Sequence, residues 1–485
     1  VVIINLSKSK YGDYLKCEKK LWLFNHRKEE YEDVVSNKIS VKNGQEYGVL
    51  LRPIFGLFDL AEVLKEDNSV DYKESIIKTK ELIAKGSNVI AEATFSVDNL
   101  FCMVDLLVKN GDKYDIYEIK SAKELTEAHI NDVSFQRYVA SKIINIGNVY
   151  VLTVNTNYIN PGKIDLKQLV VSNNLTNEAV LRTSLIENKI VNARALVEQE
   201  NEPKTVYKKE CKSCGFYNYC YPSSQDKKSN LNAKEMSIKN KKNFLNQGIT
   251  HVHEPAEYDD LIKEIETIEM IDMDMTKDFF KDLKYPLYFL DFEYFSHPYP
   301  FIAQTKPNER LPFQYSLHII DYKGAQPRHC EFLLESFKLP FDDIASSLLK
   351  DINPIGTIFV YNKGADVSII KKIRDRFPEF QDRFQQMVDN SRDLYELFRK
   401  GYVHKLTRDN SLSLKSLLPA YFPNDPELNY KSNSISEGML ASNTWRSLEK
   451  VADKEEVIKS LKNYCKIDTL GLLKLFNHFN EVIYK

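Results

Sequence analysis

The sequence predicts an α/β protein built from two domains, and three observations carry that prediction. The chain has 485 residues, and at roughly 100–200 residues per domain this length suits two to four. Apolar runs of strand length alternate with stretches of helical periodicity in both halves. Between the halves the charge changes sign sharply. Residues 203–248 hold ten Lys and three acids, a net of +7, and residues 249–285 hold four Lys and eleven acids, a net of −7. The expected organisation is a first domain over residues 1–225, a charged linker and helical connector over 226–284, and a second domain over 285–485.

Composition narrows the class. Apolar residues make up 43% and aromatics 12%, enough to fill real cores and too much for an acidic disordered chain. A formal net charge of −2 excludes a uniformly basic nucleic-acid-coating protein. No apolar run approaches the roughly 18 residues of a membrane span, and the first six residues are too short and wrongly flanked for a signal peptide. Seven Cys in a chain of this length do not make a disulfide framework. They point to a reducing cytoplasm, where clustered Cys suggest metal.

In the first half, residues 11–24 read as one helix, 88–120 as strands and 125–145 as a helix. In the connector, Leu261, Ile262, Ile265, Ile268 and Ile271 have helical spacing within a helix expected to run to residue 283. In the second half, residues 286–295, 314–321 and 357–361 read as strands, and 453–480 as a long final helix.

Three constellations carry chemistry. The first is a hairpin. Residues 101–109 and 113–120 flank Asn110-Gly111-Asp112, and an Asn-Gly pair is a strong hairpin signal. A two-residue Asn110-Gly111 turn sets Lys109 opposite Asp112 and Asp105 opposite Ile116. Strand alternation then puts Asp105, Glu118 and Lys120 on one face. Their apolar surroundings (Met103, Val104, Leu106, Leu107, Ile119) argue against a solvated strand face. Two carboxylates and a lysine suit metal-dependent phosphodiester cleavage: the acids hold Mg²⁺ or Mn²⁺ and the lysine stabilises developing negative charge.

The second constellation is Cys211-x2-Cys214-x5-Cys220. Three thiolates need a fourth ligand for a four-coordinate site, and Cys17 is the candidate. The remoteness of Cys17 favours a [4Fe-4S] cluster, with zinc as the alternative. Cys102, Cys330 and Cys465 lie in apolar stretches and read as core residues.

The third constellation is a set of acids in apolar elements. Asp291 and Glu293 interrupt Leu287-Tyr-Phe-Leu-Asp-Phe-Glu-Tyr-Phe and point the same way. Asp366 opens a helix after a short strand. Asp468, four residues after Tyr464, falls on the apolar stripe of the last helix. Buried unpaired charge is costly, so each acid needs a cation. Four such carboxylates are what a two-metal phosphodiesterase site requires. Asp393 is a further acid that reads as structural.

These residues carry a resemblance. Asp105, Glu118-Ile119-Lys120 and Gln136-Arg137-Tyr138 resemble the PD-(D/E)XK nuclease pattern of the RecB family. That resemblance implies Asp105 and Glu118 as metal ligands, Lys120 as the catalytic lysine, and Gln136 and Tyr138 as substrate-positioning residues. The sequence departs from the family in spacing Gln136 and Tyr138 two apart where Gln-x-x-x-Tyr is usual. It also has Gly44-Gln45-Glu46-Tyr47-Gly48 where relatives place a metal-binding His, leaving Glu46 or Glu92 as substitute oxygen donors. One early and three late Cys resemble the iron–sulfur members of that group, the CRISPR-associated exonucleases and the AddB subunit. Asp291, Glu293, Asp366, Tyr464 and Asp468 resemble the DEDD exonucleases of the RNase H-like fold, in the tyrosine subtype of the DnaQ and RNase D relatives. Tyr464 is then implied to orient the attacking water in 3′→5′ exonuclease chemistry. The whole chain resembles bacterial proteins that fuse these two nucleases. The implied function is a metal-dependent nuclease acting on nucleic acid, DNA favoured over RNA, with Mg²⁺ or Mn²⁺ as cofactor and no membrane partner. The basic stretch 204–242 is expected to add salt-dependent affinity. The alternatives are a nucleic-acid-binding scaffold with degenerate sites, and a zinc-binding interaction protein.

Overall fold

The computed structural model of the chain describes residues 6–32, 35–221, 269–405, 407, 411–430, 433–435 and 437–484. The chain forms two compact units, one of Val1–Pro222 with His297–Asn308 and one of Ser223–Ser296 with Glu309–Lys485. Both are mixed α/β. Most of the basic stretch, and the connector as far as residue 268, lie outside the described residues.

In the first unit, β1 (Leu6–Ser7), α1 (Lys8–Lys16), α2 (Glu18–His26), α3 (Val35–Leu51), β2 (Asp59–Leu60) and α4 (Tyr72–Lys85) precede β3 (Val89–Val97), β4 (Leu100–Asn110) and β5 (Lys113–Ile119). Then come α5 (Glu127–Ala140), β6 (Ile146–Val154), α6 (Leu166–Leu169), β7 (Val170–Asn174), α7 (Thr176–Leu181), α8 (Thr183–Glu198) and α9 (Tyr217–Cys220). The sheet order is β2-β3-β4-β5-β6-β7, with β1 parallel to β4. Strands β3, β4 and β5 are antiparallel neighbours, whereas α5 is the crossover that brings β6 parallel to β5. One face packs on Tyr11 and Tyr14 of α1, Val133 and Phe135 of α5 and Ile186 and Ile190 of α8. The other packs on Tyr47, Leu51, Ile54 and Leu169.

Two expectations for this unit need correction. Residues 11–24 are two helices, because Cys17 is extended (φ −158°, ψ 110°) between α1 and α2. The apolar spacing runs through this one-residue break, so periodicity alone does not reveal it. The hairpin turn is Gly111-Asp112, since Asn110 pairs with Lys113 and Leu106 with Tyr117. Gly111 takes φ +65° while Asn110 stays in the strand, so Asn-Gly does not form the turn that needs positive φ at both positions. The register therefore moves by two residues. Parity survives, but the residue opposite Ile116 is Leu107, not Asp105.

In the second unit, β8 (Met270–Ile271) and α10 (Met273–Phe280) replace the described end of the expected connector helix. Asp272 breaks it: its carboxylate accepts from Met275 N at 3.0 Å and starts a new helix. There follow β9 (Leu287–Phe295), β10 (Leu311–Ile320), β11 (Arg328–Leu333), α11 (Phe341–Asp351), β12 (Thr357–Val360), α12 (Lys363–Arg376), α13 (Gln381–Asp389), β13 (Ser391–Asp393), α14 (Tyr395–Arg399), β14 (Val403–His404), α15 (Leu414–Tyr421), α16 (Gly438–Ser447) and α17 (Lys454–Tyr484). The five-stranded sheet has the order β11-β10-β9-β12-β13. Strand β10 is antiparallel to both β9 and β11, and β12 is parallel to both β9 and β13. The central β9 and β10 are buried along almost their whole length because helices cover them.

Helix α17 is fixed on this sheet by polar bonds as well as apolar packing. Gln314 Nε2 donates to Leu461 O at 2.9 Å, and Thr469 Oγ1 lies 2.7 Å from Ser316 Oγ and 2.9 Å from His318 Nδ1. Gly471 allows close approach to α15, since an added Cβ would lie 2.4 Å from Leu418 Cδ1.

Candidate active sites and a cysteine cluster

In the first unit the apolar alternation changes phase at two facing strand positions. On β4, Cys102, Val104 and Leu107 join the core beneath α1 and α5, whereas Leu106 joins the opposite core. On β3, Ile90 and Ala93 share the first core and Ala91 the second. The residues at the phase change are Asp105 and Glu92, and Glu92 has φ +56°, a conformation unusual for a non-glycine residue. Beyond the Leu106–Tyr117 pair, Asp105 Oδ2 accepts from Ile119 N at 2.6 Å. Asp105 and Glu118 thus meet where the β4–β5 ladder ends, on the face that alternation from the hairpin gives, and the phase change lies just beyond them.

Glu118 is buried and has three polar partners. Its Oε1 takes the ammonium groups of Lys8 and Lys120, each at 2.8 Å, and its Oε2 takes Gln136 Nε2 at 2.5 Å. Gln136 is held by Met103 O at 3.2 Å, and Lys120 also reaches Asp132 at 2.6 Å. Burial works to raise the Glu118 carboxyl, but Lys8 and then Lys120 outweigh it and hold it at about 2. Asp105 moves the other way: burial, then the Glu118 charge, push it up to about 8. Glu92 pairs with Arg52 at 2.9 Å and Glu46 Oε2 lies 3.7 Å from His297 Nε2. Tyr138 packs against the core with Lys142 over its ring, and among the described residues no bond joins it to the acids. Lys8 and Asp132 were not legible as site residues. Lys8 sits among Ser and Lys with no apolar setting to mark it.

A carboxylate offers about four lone-pair sites, and three on Glu118 are taken. The pair Asp105–Glu118 as it stands therefore does not fit a divalent cation. Its positive charge is supplied from within the chain.

The second unit differs. Asp291 and Glu293 lie on β9 opposite Ser316 and Gln314. Asp366 lies in the first turn of α12, which is entered through Asn362 in a left-handed conformation (φ +65°, ψ 65°), one that Asn tolerates. Asp393 fixes that entry by accepting from Asn362 N at 2.8 Å and Lys363 N at 2.9 Å. Asp366 Oδ1 takes Phe292 N at 3.4 Å, which ties α12 to β9. Asp468 and Tyr464 lie one turn apart on the buried stripe of α17. Tyr430 donates to Asp468 Oδ1 at 2.5 Å. An added Cβ on Gly438 would lie 3.6 Å from Glu293 Oε2 and 3.9 Å from Tyr464 Oη, so both groups face one spot.

Among the described residues none of the four carboxylates has a Lys or Arg within ion-pair distance, and no hydrogen bond reaches Glu293, although it is only 9% exposed. Burial, then the neighbouring acids, raise Asp291 well above the carboxylate range, and burial and Asp468 do the same to Glu293. Burial raises Asp366 to about 8 and Asp468 to about 6, the latter restrained by the Tyr430 bond and Lys415. The Lys415 ammonium lies over the rings of Tyr430 (5.6 Å) and Tyr464 (5.1 Å). Ligand atoms of Asp291, Glu293 and Cys465 lie within 4.8 Å of one another. This corrects the reading of Cys465 as a plain core residue: its Sγ is 3.5 Å from Asp291 Oδ2. A one-residue step past Tyr464 turns it into the acid cluster. Hard oxygen donors, buried and lacking a bonded cation, fit divalent metal.

The four cysteines of the first unit also come together. Cys17 lies in the break between α1 and α2, Cys211 and Cys214 lie in and after the short turn Lys209–Ser213, and Cys220 ends α9. Burial raises the Cys220 thiol to about 12, and the nearby Cys214, Cys17 and Cys211 add to the rise. Lys208 N donates to Cys211 Sγ at 3.3 Å. Trp22, Leu23 and Phe216 form an apolar cluster against Cys214 and Cys220. Among the described residues no three of these sulfurs lie within 4.8 Å of one another.

Residues 288–411 match a family model described as a domain of unknown function (DUF2779). The matched stretch contains Asp291, Glu293 and Asp366, while Tyr464 and Asp468 follow it. No curated protein matches the chain. Among the described residues no helix is long and apolar enough to cross a membrane.

Proposed function

We propose that the protein is a metal-dependent nuclease whose principal site is the acid cluster of the second unit. The observation that carries this reading is a set of four carboxylates from β9, α12 and α17, three of them buried and Asp291 half-buried, with no bonded cation among the described residues. Asp291, Glu293, Asp366 and Asp468 are the residues that would hold Mg²⁺ or Mn²⁺. Such ions, when bound, lower the pKa of water and screen phosphate charge. The chain's own residues do the rest. Burial and the acids around it hold the Tyr464 phenol above its usual range, so at neutral pH it keeps its proton and can orient a water. Tyr430 positions Asp468, and Lys415 supplies positive charge near the site, suited to a phosphate. The sheet, antiparallel on one side of β9 and parallel on the other, supports the RNase H-like reading, and it is that resemblance that implies 3′→5′ exonuclease chemistry.

In the first unit, acids on antiparallel β4 and β5 followed by the α5 crossover support the RecB-like PD-(D/E)XK reading, and that resemblance favours DNA over RNA in a cytoplasmic setting. A second reading, confined to this unit, is nucleic-acid binding without cleavage. The occupied Glu118 carboxylate favours it. The four cysteines are proposed to hold a [4Fe-4S] cluster. The remoteness of Cys17 along the chain from the other three favours the cluster over zinc.

End-labelled single- and double-stranded DNA and RNA, incubated with Mn²⁺ or Mg²⁺, provide the test. Asp468→Asn should lower 3′→5′ degradation by on the order of 10³-fold. Undiminished degradation by that variant would sink the assignment. Anaerobic purification should give a brown, iron-loaded protein, and Cys17→Ser a colourless one. A colourless, zinc-loaded wild-type protein would reject the cluster.

A further inference from the structure

The first acid pair already has a cation partner that the sequence motifs do not mark. We propose that Lys8 is the built-in counter-ion of this pair and keeps a divalent cation out of it. The proposal rests on the RecB-like reading of Asp105 and Glu118, and it gives the reason the two carboxylates as they stand do not fit a metal ion.

The fold places Lys8 firmly. Leu6 and Ser7 pair in parallel with Leu100 and Phe101 of β4, and Ser7 Oγ caps α1 by accepting from Lys10 N at 3.2 Å. Lys8 is the first residue of α1, so its side chain starts from a backbone tied to the sheet that carries the acids. Its side chain is 22% exposed, and its ammonium meets Glu118, 2% exposed, at 2.8 Å.

Lys120 makes the same contact but divides its charge, because it also pairs with Asp132 at 2.6 Å. Lys8 has Glu118 as its ion-pair partner and no other among the described residues. With Gln136 on Oε2, the two lysines leave about one lone pair of Glu118 open. Removing the Lys8 ammonium frees a second and takes a positive charge from contact with the carboxylate. Lys8 touches no reacting group by this argument. It is a positioning residue that acts through Glu118, and a cation enters only as Lys8 withdraws.

The test is Mn²⁺ binding, read as free Mn²⁺ by electron paramagnetic resonance, on the full chain carrying Asp291→Asn and Asp468→Asn to silence the second cluster. Lys8→Gln or the apolar Lys8→Met should bind Mn²⁺ at least tenfold more tightly than the chain with Lys8, and Lys8→Arg should stay within about threefold of it. A purely structural role predicts weaker binding instead. Unchanged or weaker binding in both neutral variants overturns the proposal. If binding is unchanged but is abolished by Glu118→Gln, the metal-dependent reading of the pair stands while the role of Lys8 falls. If no Mn²⁺ is lost on Glu118→Gln in any of these chains, both fall.

Discussion

Glu118 in the first unit and Asp291 in the second are carboxylates on central strands, each close to further acids, yet their surroundings differ in kind. Glu118 is met by two ammonium groups and an amide. Asp291 is met by a thiol and, through space, by Asp468, Asp366 and Glu293. The physical outcome is opposite: Glu118 is held at about 2, while Asp291 is driven well above the carboxylate range. Chemical type alone does not make an acid cluster a cation site. What matters is whether the fold has already supplied the positive charge.

The sharpest way to break this comparison is to neutralise one acid in each unit. Glu118→Gln strands Lys8 and Lys120 beside an uncharged group and should destabilise the protein by about 3 kcal/mol. Asp366→Asn removes a like charge from its cluster and should stabilise the metal-free protein by about 1–2 kcal/mol at pH 8. Urea unfolding of both variants in chelator measures this, and equal signs would dissolve the distinction. The pH dependence sharpens it. Asp366, at about 8, and Asp468, at about 6, hold protons in the folded chain that the unfolded chain releases near 3.8. Their contribution therefore lowers stability as pH rises from about 4 to 8. Asp105, at about 8, pulls in the same direction. Glu118 is depressed from 4.5 to about 2, so its contribution is present above pH 4.5 and lost as pH falls toward 2. Asp366→Asn should flatten the fall between pH 4 and 8, and Glu118→Gln should remove the acid-side loss. A smaller effect tests whether helix docking holds Asp468 in its cluster. Gly471→Ala would force a Cβ into Leu418 and should cost about 1–3 kcal/mol. A neutral result would show that α17 can shift.

Much of this was legible in the sequence wherever a charge interrupted an apolar pattern. Asp291, Glu293 and Asp468 announced themselves by their setting, and strand periodicity located β9 to within a residue. Asp105, Glu118, Lys120 and Gln136 are brought together, and the phase change beside them at Asp105 and Glu92 is one that no alternation rule contains. Lys8, Lys415 and Tyr430 escaped notice because each lies far along the chain from the acid whose charge it affects and in a segment without contrast. The break at Cys17 escaped for the opposite reason: apolar residues continue on both sides of it. Tyr138, carried over from a motif with different spacing, does not join the acids among the described residues.

The assignment of His297–Asn308 to the first unit has a consequence for the laboratory bench. Those residues lie between β9 and β10, neighbouring antiparallel strands of the second sheet, so the chain passes from one unit to the other three times. A gene fragment cut at the charged connector would separate neither unit cleanly, because each fragment would lack or carry a piece belonging to the other. Any attempt to express the second unit alone must first decide what to do with that borrowed loop.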